Sequence, residues 1–91
     1  MARLEIDVIA LRGQIVAFVE VKSRWSDAFG HPFEAVTWTK KREIVRVAKA
    51  WVDRSGREEY RYRFDVIGIQ FRRGRSPKIE HLPDAFRVDW R

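Results

Sequence analysis

Residue types that together can cut a phosphodiester stand near the start of the chain: Asp7, then, thirteen residues later, Glu20 followed by Val21 and Lys22. Two carboxylates within reach of one point suit Mg²⁺, a hard ion that takes few protein ligands and keeps several waters. An ion so held polarises a phosphodiester and lowers the pKa of a bound water. Lys22 shares the strand face of Glu20 because side chains alternate with period two. Its ammonium can orient that water or offset charge developing on the phosphate. Asp7, Glu20 and Lys22 are therefore the candidate catalytic residues. Asp7 and Glu20 are the candidate metal ligands, and Mg²⁺ or Mn²⁺ is the implied cofactor. The same residues also suit a plain ion pair at a strand end, since short motifs match by accident. Spacing alone leaves both readings open.

The elements that must position these residues are legible in outline. Leu4 to Leu11 alternates as a strand, with Glu5, Asp7, Ile9 and Leu11 on one face. Ile15 to Lys22 is a second strand, apolar on both faces until its end, which predicts a central place in a sheet. A turn at Arg12-Gly13 pairs residues whose numbers sum to 25. Glu5 then lies opposite Glu20, and Asp7 is its diagonal neighbour at about 7–8 Å between backbones. Ser23 to Val36 reads as a loop with Trp25, Phe29 and Phe33, expected to plug the end of the core, with stacking on splayed bases as the other reading. The stretch from Trp38 to Ser55 lacks Gly and Pro and predicts a helix capped by Thr37 or Thr39, with Gly56 as its stop. Ile44, Val47, Ala48, Trp51 and Val52 form its apolar stripe. Tyr60 to Phe71 is a third strand. Arg72 to Pro77 is a basic turn, and Lys78 to Leu82 a last strand that Pro83 ends. The order is β-β-α-β-β.

Composition bounds the rest. Ninety-one residues make one domain, 1–91, with a modest core. There is no cysteine, so disulfides and thiolate zinc sites are excluded. No apolar run approaches a membrane span and no signal-peptide core opens the chain, so a cytoplasmic protein is expected. The net charge is +6, and 14 of the 19 basic residues are arginine, a side chain that pairs bidentately with phosphate. Nucleic acid is one expected partner of such a charge balance, DNA above all if the acidic cluster is a nuclease site, and a merely solvated surface is the other reading.

Asp7 with Glu20-Val21-Lys22 resembles the PD-(D/E)xK motif of the restriction-endonuclease-like superfamily. More closely, Glu5-Ile6-Asp7-Val8-Ile9-Ala10 and Phe18-Val19-Glu20-Val21-Lys22-Ser23-Arg24 look like the YraN family of bacterial proteins. So do Ser26 to Gly30, Glu34 to Thr37, Arg63-Phe64-Asp65-Val66, and Ile79 to Pro83 with Ala85-Phe86. That family is similar to archaeal Holliday-junction resolvases. The resemblance implies an α/β, restriction-endonuclease-like mixed sheet and a metal-dependent DNA endonuclease, with branched or junction DNA among its substrates. Two departures stand out. Leu4 occupies the place of a usual Gly, and the family's N-terminal helix and strand, with a further glutamate, are expected to lie before Met1, so that the chain is either an N-terminally incomplete domain or a shortened form. The expectations are weak or absent cleavage by this form, and a symmetric homodimer that covers a sheet face left bare.

Other residues carry lesser roles. Glu5 and Asp65 are candidate supporting acids; an ion pair of Asp65 with Arg61, Arg63 or a lysine is the competing expectation. Lys40 and Lys41 open the helix, where cations oppose the macrodipole, so an external phosphate is one reading and a solvated first turn the other. Arg24, Arg72, Arg73 and Arg75 are candidate phosphate contacts. His31 and His81 have no partner legible in the sequence. Two further function classes remain open: a non-catalytic nucleic-acid-binding module, and a structural or interaction protein.

Overall fold

In the computed structural model, residues 5–25, 30–56 and 59–87 are described. Four strands and one helix follow in the expected order: β1 Val8–Arg12, β2 Ile15–Trp25, a short 3-10 turn Pro32–Ala35, α1 Trp38–Ser55, β3 Arg61–Arg72 and β4 Arg75–Phe86. The sheet runs β1-β2-β3-β4. The outer pairs are antiparallel and the central pair β2–β3 is parallel. This is the mixed α/β arrangement of a restriction-endonuclease-like fold, with β2 central as its two-sided apolar pattern requires.

The helix ends are set by local chemistry. The Thr37 hydroxyl accepts from the Lys40 N–H at 3.2 Å, satisfying one of the donors that a helix start leaves free. Gly56 adopts a left-handed φ of 69° and its N–H reaches the Val52 carbonyl. Ile44, Ala48 and Val52 recur at four-residue spacing and are buried against Val16, Phe18, Phe64 and Val66. Those strand residues are even-numbered and share one sheet face. Phe18 is the hinge of this core: its ring meets Trp51 edge-on at 5.7 Å and stacks on Phe64 at 5.6 Å.

The hairpin turns one residue later than the Arg12-Gly13 reading. Arg12 pairs with Ile15, so Gly13 and Gln14 form the loop, and register numbers sum to 27 rather than 25. The reason lies in backbone sterics. Tight hairpin loops need a positive φ at their first position, which Arg resists and Gly supplies; Gly13 has φ 59°. The parity is unchanged, but Asp7, one residue before the first paired residue Val8, now stands opposite Glu20 instead of diagonal to it. β1 begins at Val8 rather than Leu4, and Leu4 lies outside the described residues.

Two strands, β2 and β4, are longer than expected. β2 continues past Lys22 to Trp25, paired with β3 as far as Phe71. β4 begins at Arg75 and passes through Pro83 to Phe86. Pro83 does not end it, because the ladder bulges there: Phe64 pairs with Phe86 and Val66 with Leu82. A proline is tolerated at a bulge on an edge strand, where no ladder hydrogen bond is owed. Asp84 takes up the extra turn at φ 52°, a region that Asp tolerates better than most side chains.

On the opposite sheet face, Val8 and Ile79 are exposed and Val21, Ile67 and Ile69 half-buried. No helix among the described residues is long and apolar enough to cross a membrane.

Candidate active site

Asp7 precedes β1 by one residue, and its Oδ2 accepts a hydrogen bond from the Val21 N–H at 2.8 Å. The carboxylate is thus fixed to the backbone between Glu20 and Lys22. Asp7 itself is exposed. Glu20 is 4% exposed, on the face that the helix covers. Its Oε1 lies 3.2 Å from the Lys22 Nζ and 3.9 Å from the Lys40 Nζ. An ionised carboxylate that deep needs counter-charge, and the two ammonium groups supply it. Both lysines are partly exposed, with long stems that leave the head near water.

The structure therefore brings Asp7, Glu20 and Lys22 together at the end of one hairpin and adds Lys40 to them. For Lys40 the sequence leaves an external phosphate and a solvated first turn open; its ammonium lies beside Glu20. The ion pair that the sequence left open as an alternative is present between Lys22 and Glu20. The donor set, two hard carboxylates on neighbouring strands, fits an oxygen-preferring divalent ion that leaves most of its coordination to water. It is sparse: among the described residues, no three His, Cys, Asp or Glu side chains gather closely enough to hold an ion by themselves.

Neither candidate supporting acid joins the set. Glu5 is exposed and precedes β1, beyond the paired stretch. Asp65 is in register with Val19, so it points to the sheet face opposite Glu20. Its surroundings are complete without a metal. Oδ1 accepts from the Asp84 N–H at 2.9 Å, and Oδ2 from the His81 Nε2 at 2.8 Å and the Arg63 Nη2 at 3.1 Å. The Arg63 Nε, 3.0 Å from Oδ1, adds charge without a well-angled hydrogen bond. Burial pushes the Asp65 carboxyl up, but the Asp84 N–H, His81 and Arg63 together outweigh it and hold the group below the usual carboxylate range. Asp65 pins the β4 bulge to β3, as the competing ion-pair expectation with Arg63 had it.

Both histidines have partners that sequence reasoning missed. His81 meets Asp65. His31 caps the 3-10 turn, its Nδ1 accepting from the Phe33 N–H at 3.1 Å, which leaves Nε2 to donate to Glu80 at 2.9 Å. Glu80 is held below its ordinary pKa first by that His31 bond, against a smaller upward push from burial, with Lys78 assisting. The signal for both pairs was the β3–β4 register, which brings His81 level with Ile67 and Glu80 level with Gly68.

The remaining predicted contacts divide. Lys41 lies 5.4 Å from the centre of the Phe86 ring, a cation–π contact. Arg72 donates through Nε and Nη2 to the Ser76 carbonyl at 3.1 and 2.7 Å, bracing its own turn. Arg73 and Arg75 are exposed, and Arg24 is half-buried. Of the three aromatics expected to plug the core end, Phe33 does so: it packs against the core and over Gly68, where an added Cβ would come within 2.9 Å of its ring. Trp25 instead stands 54% exposed, and Phe29 lies outside the described residues.

Comparison with known proteins agrees with the motif. The family model for the uncharacterised protein family UPF0102 matches residues 1–69. A UPF0102 protein of Rhodococcus jostii (strain RHA1) is 48% identical over 82 residues, 90% of this chain and 70% of the relative. One from Clostridium perfringens (strain 13 / Type A) is 46% identical over 85 residues, 92% of this chain and 70% of the relative. One from Chlorobium chlorochromatii (strain CaD3) is 49% identical, covering 93% of this chain and 69% of the relative. Matched by the family model through the hairpin, the helix and most of β3, and close to half identical to these relatives over nine tenths of its length, the chain belongs to UPF0102, the YraN family with its PD-(D/E)xK-like motif.

Proposed function

We propose that the chain is the core of a metal-dependent DNA endonuclease that hydrolyses phosphodiesters at Asp7, Glu20 and Lys22. The observation that carries the reading is the Asp7–Val21 hydrogen bond, which holds one carboxylate at the backbone between the other two members of the motif. Asp7 and Glu20 are the residues that would hold Mg²⁺ or Mn²⁺. When bound there, the ion supplies Lewis acidity to the phosphate and an acidified water.

The protein's own groups do the rest. Asp7 is positioned before any ligand arrives, because its carboxylate is already hydrogen-bonded; such preorganisation lowers the cost of assembling a site. Glu20 holds its charge in a nearly dry place because Lys22 and Lys40 balance it. With a cation held by Asp7 and Glu20, an ammonium of Lys22 or Lys40 would be free to turn toward a phosphate oxygen. Lys22, on the same strand face, is the group that offsets charge developing on the scissile phosphate. Lys40, at the helix start, contacts a neighbouring phosphate. The arginine excess favours DNA as the polyanion, with little sequence preference, since phosphate contacts carry no base information.

The test is a calorimetric titration of Mg²⁺ and Mn²⁺ paired with a cleavage assay on duplex, single-stranded and four-way-junction DNA. The parent should bind the ion and the Asp7→Ala, Glu20→Ala double variant should not. Lys22→Ala should keep ion binding and lose cleavage. Ion binding that survives the double substitution removes the site. Ion and DNA binding without cleavage of any substrate, in this chain and in a version extended at its N-terminus, replaces the enzyme reading with the nucleic-acid-binding module.

A further inference from the structure

Strand parity sets a second group of cations on the sheet face of the acidic site. Glu20, Lys22 and Arg24 alternate along β2 and share a face. The register lines up Arg24 with Gln70, and Gln70 with Lys78. Residues paired across strands point to the same side. Arg24, Gln70 and Lys78 therefore form one row across β2, β3 and β4, on the face of Glu20 and four residues beyond it. At the rise of a strand that is about 13 Å.

The row is distinct from the acidic cluster. Between them runs the row Lys22, Gly68, Glu80. The 3-10 turn is seated on it: a Cβ added at Gly68 would come within 3.2 Å of Pro32 and 2.9 Å of Phe33, and His31 is bonded to Glu80 at 2.9 Å. Beyond that turn the next row holds a guanidinium, an amide and an ammonium, and no acid. Glu80 lies 3.7 Å from the Lys78 Nζ, but His31 is its closer partner. Lys78 is 55% exposed, and Arg24 and Gln70 are half-buried. Arg72, next along β3, is occupied by the Ser76 carbonyl. Neighbouring strands are about 4.8 Å apart, so the Arg24 and Lys78 backbones stand about 10 Å apart and their long stems can meet over Gln70. A planar fork, an amide donor and a point charge that close on one spot suit a phosphodiester, whose free oxygens accept from several donors at once.

We propose that Arg24, Gln70 and Lys78 form a subsite for a backbone phosphate of the nucleic-acid strand whose scissile phosphate lies at Asp7 and Glu20. The subsite rests on the nucleic-acid reading of that site and adds a direction to it. The bound strand follows β2 toward its carboxyl end, with Lys22 between the two phosphate positions. The exposed Arg46 and Arg54 stand on α1 rather than on this face, which makes them a charge-matched comparison.

The experiment measures binding in the presence of a chelator, so that cleavage plays no part. Short blunt duplexes of different sequence are titrated over a salt series against the parent, Arg24→Gln/Lys78→Gln, the charge-keeping Arg24→Lys/Lys78→Arg and the charge-matched Arg46→Gln/Arg54→Gln. Arg24→Gln/Lys78→Gln should weaken binding alike on every sequence and lower the slope of log affinity against log salt by about 0.9, the share of one phosphate. Lys78→Gln alone, at an exposed position that folding does not need, should lower it in part. Arg24→Lys/Lys78→Arg and Arg46→Gln/Arg54→Gln should both keep the parent slope. An unchanged slope in Arg24→Gln/Lys78→Gln overturns the proposal. An equal fall in Arg46→Gln/Arg54→Gln also overturns it, by tracing the effect to net charge. Polyglutamate that binds the parent as tightly as the duplex, and is lost in the same variant, would give the row to an acidic protein instead. A parent that binds no duplex at low salt removes the nucleic-acid reading and this subsite together. A subsite that behaves as stated while Asp7→Ala/Glu20→Ala keeps ion binding removes the metal site alone.

Discussion

Two buried acids on neighbouring strands of one sheet, Glu20 and Asp65, have been neutralised in different ways. Asp65 is met by a backbone N–H, an imidazole and a guanidinium, each fixed by a ladder, a ring or a planar fork. Glu20 is met by two ammonium groups on four-carbon stems, at 3.2 and 3.9 Å. A point charge on a flexible stem can leave without disturbing the backbone; an amide in a bulge cannot. The first arrangement is architecture. The second keeps a charge ready for exchange, which a site that takes up a cation or a phosphate requires.

The comparison breaks if both acids prove equally structural. Asp65→Ala should have the largest effect, a loss of about 1–3 kcal/mol in denaturant unfolding, because it takes from the Asp84 amide the acceptor that ties the β4 bulge to β3 and leaves an empty place beside Arg63 and His81. The pH profile sharpens the point. A carboxyl held low in the folded chain stabilises it at every pH above the ordinary value of 3.8, and loses that effect only as pH falls through the folded value below it. The stability gap between the parent and Asp65→Asn should stay constant from neutral pH to about 4 and close only under more acid conditions. His81→Ala removes a half-exposed partner and should cost about 1 kcal/mol by thermal unfolding. Glu20→Gln should have the smallest effect, within about 1 kcal/mol of the parent, since both lysines can turn to water. A loss as large as that of Asp65→Ala would show that Glu20 is a core strut, and the reading of its site would fail.

The sequence carried the helix from cap to stop, because Thr37, the unbroken run to Ser55 and Gly56 are local signals. It carried the central place of β2, and the even face of Glu20 and Lys22, because strand parity needs no partner. The motif resemblance carried the family. What it missed was relational. The hairpin register turned on which loop position takes a positive φ, and Gly13 rather than Arg12 takes it. The face of Asp65 followed from parallel pairing with Val19, which no single strand announces. The bulge at Pro83 looked like an end because a proline usually is one. His31 and His81 looked unpartnered because their carboxylates arrive from across a ladder.

The parallel seam also bears on how the chain reaches its fold. β1–β2 and β3–β4 are each closed by two-residue loops and can pair early, on the microsecond scale of isolated hairpins. Between them lies an eleven-residue seam, Ile15↔Arg61 to Trp25↔Phe71, that forms only after the crossover through α1 has been closed. Such long-range pairing costs loop entropy before any contact offsets it, so it should set the folding rate. Until the seam closes, Phe18 and Phe64 are apart, the core has no centre, and Glu20 has not met Lys40. The first hairpin thus carries Asp7, Glu20 and Lys22 before the seam closes, and what slower docking of the two hairpins would delay is the burial of Glu20 and its meeting with Lys40.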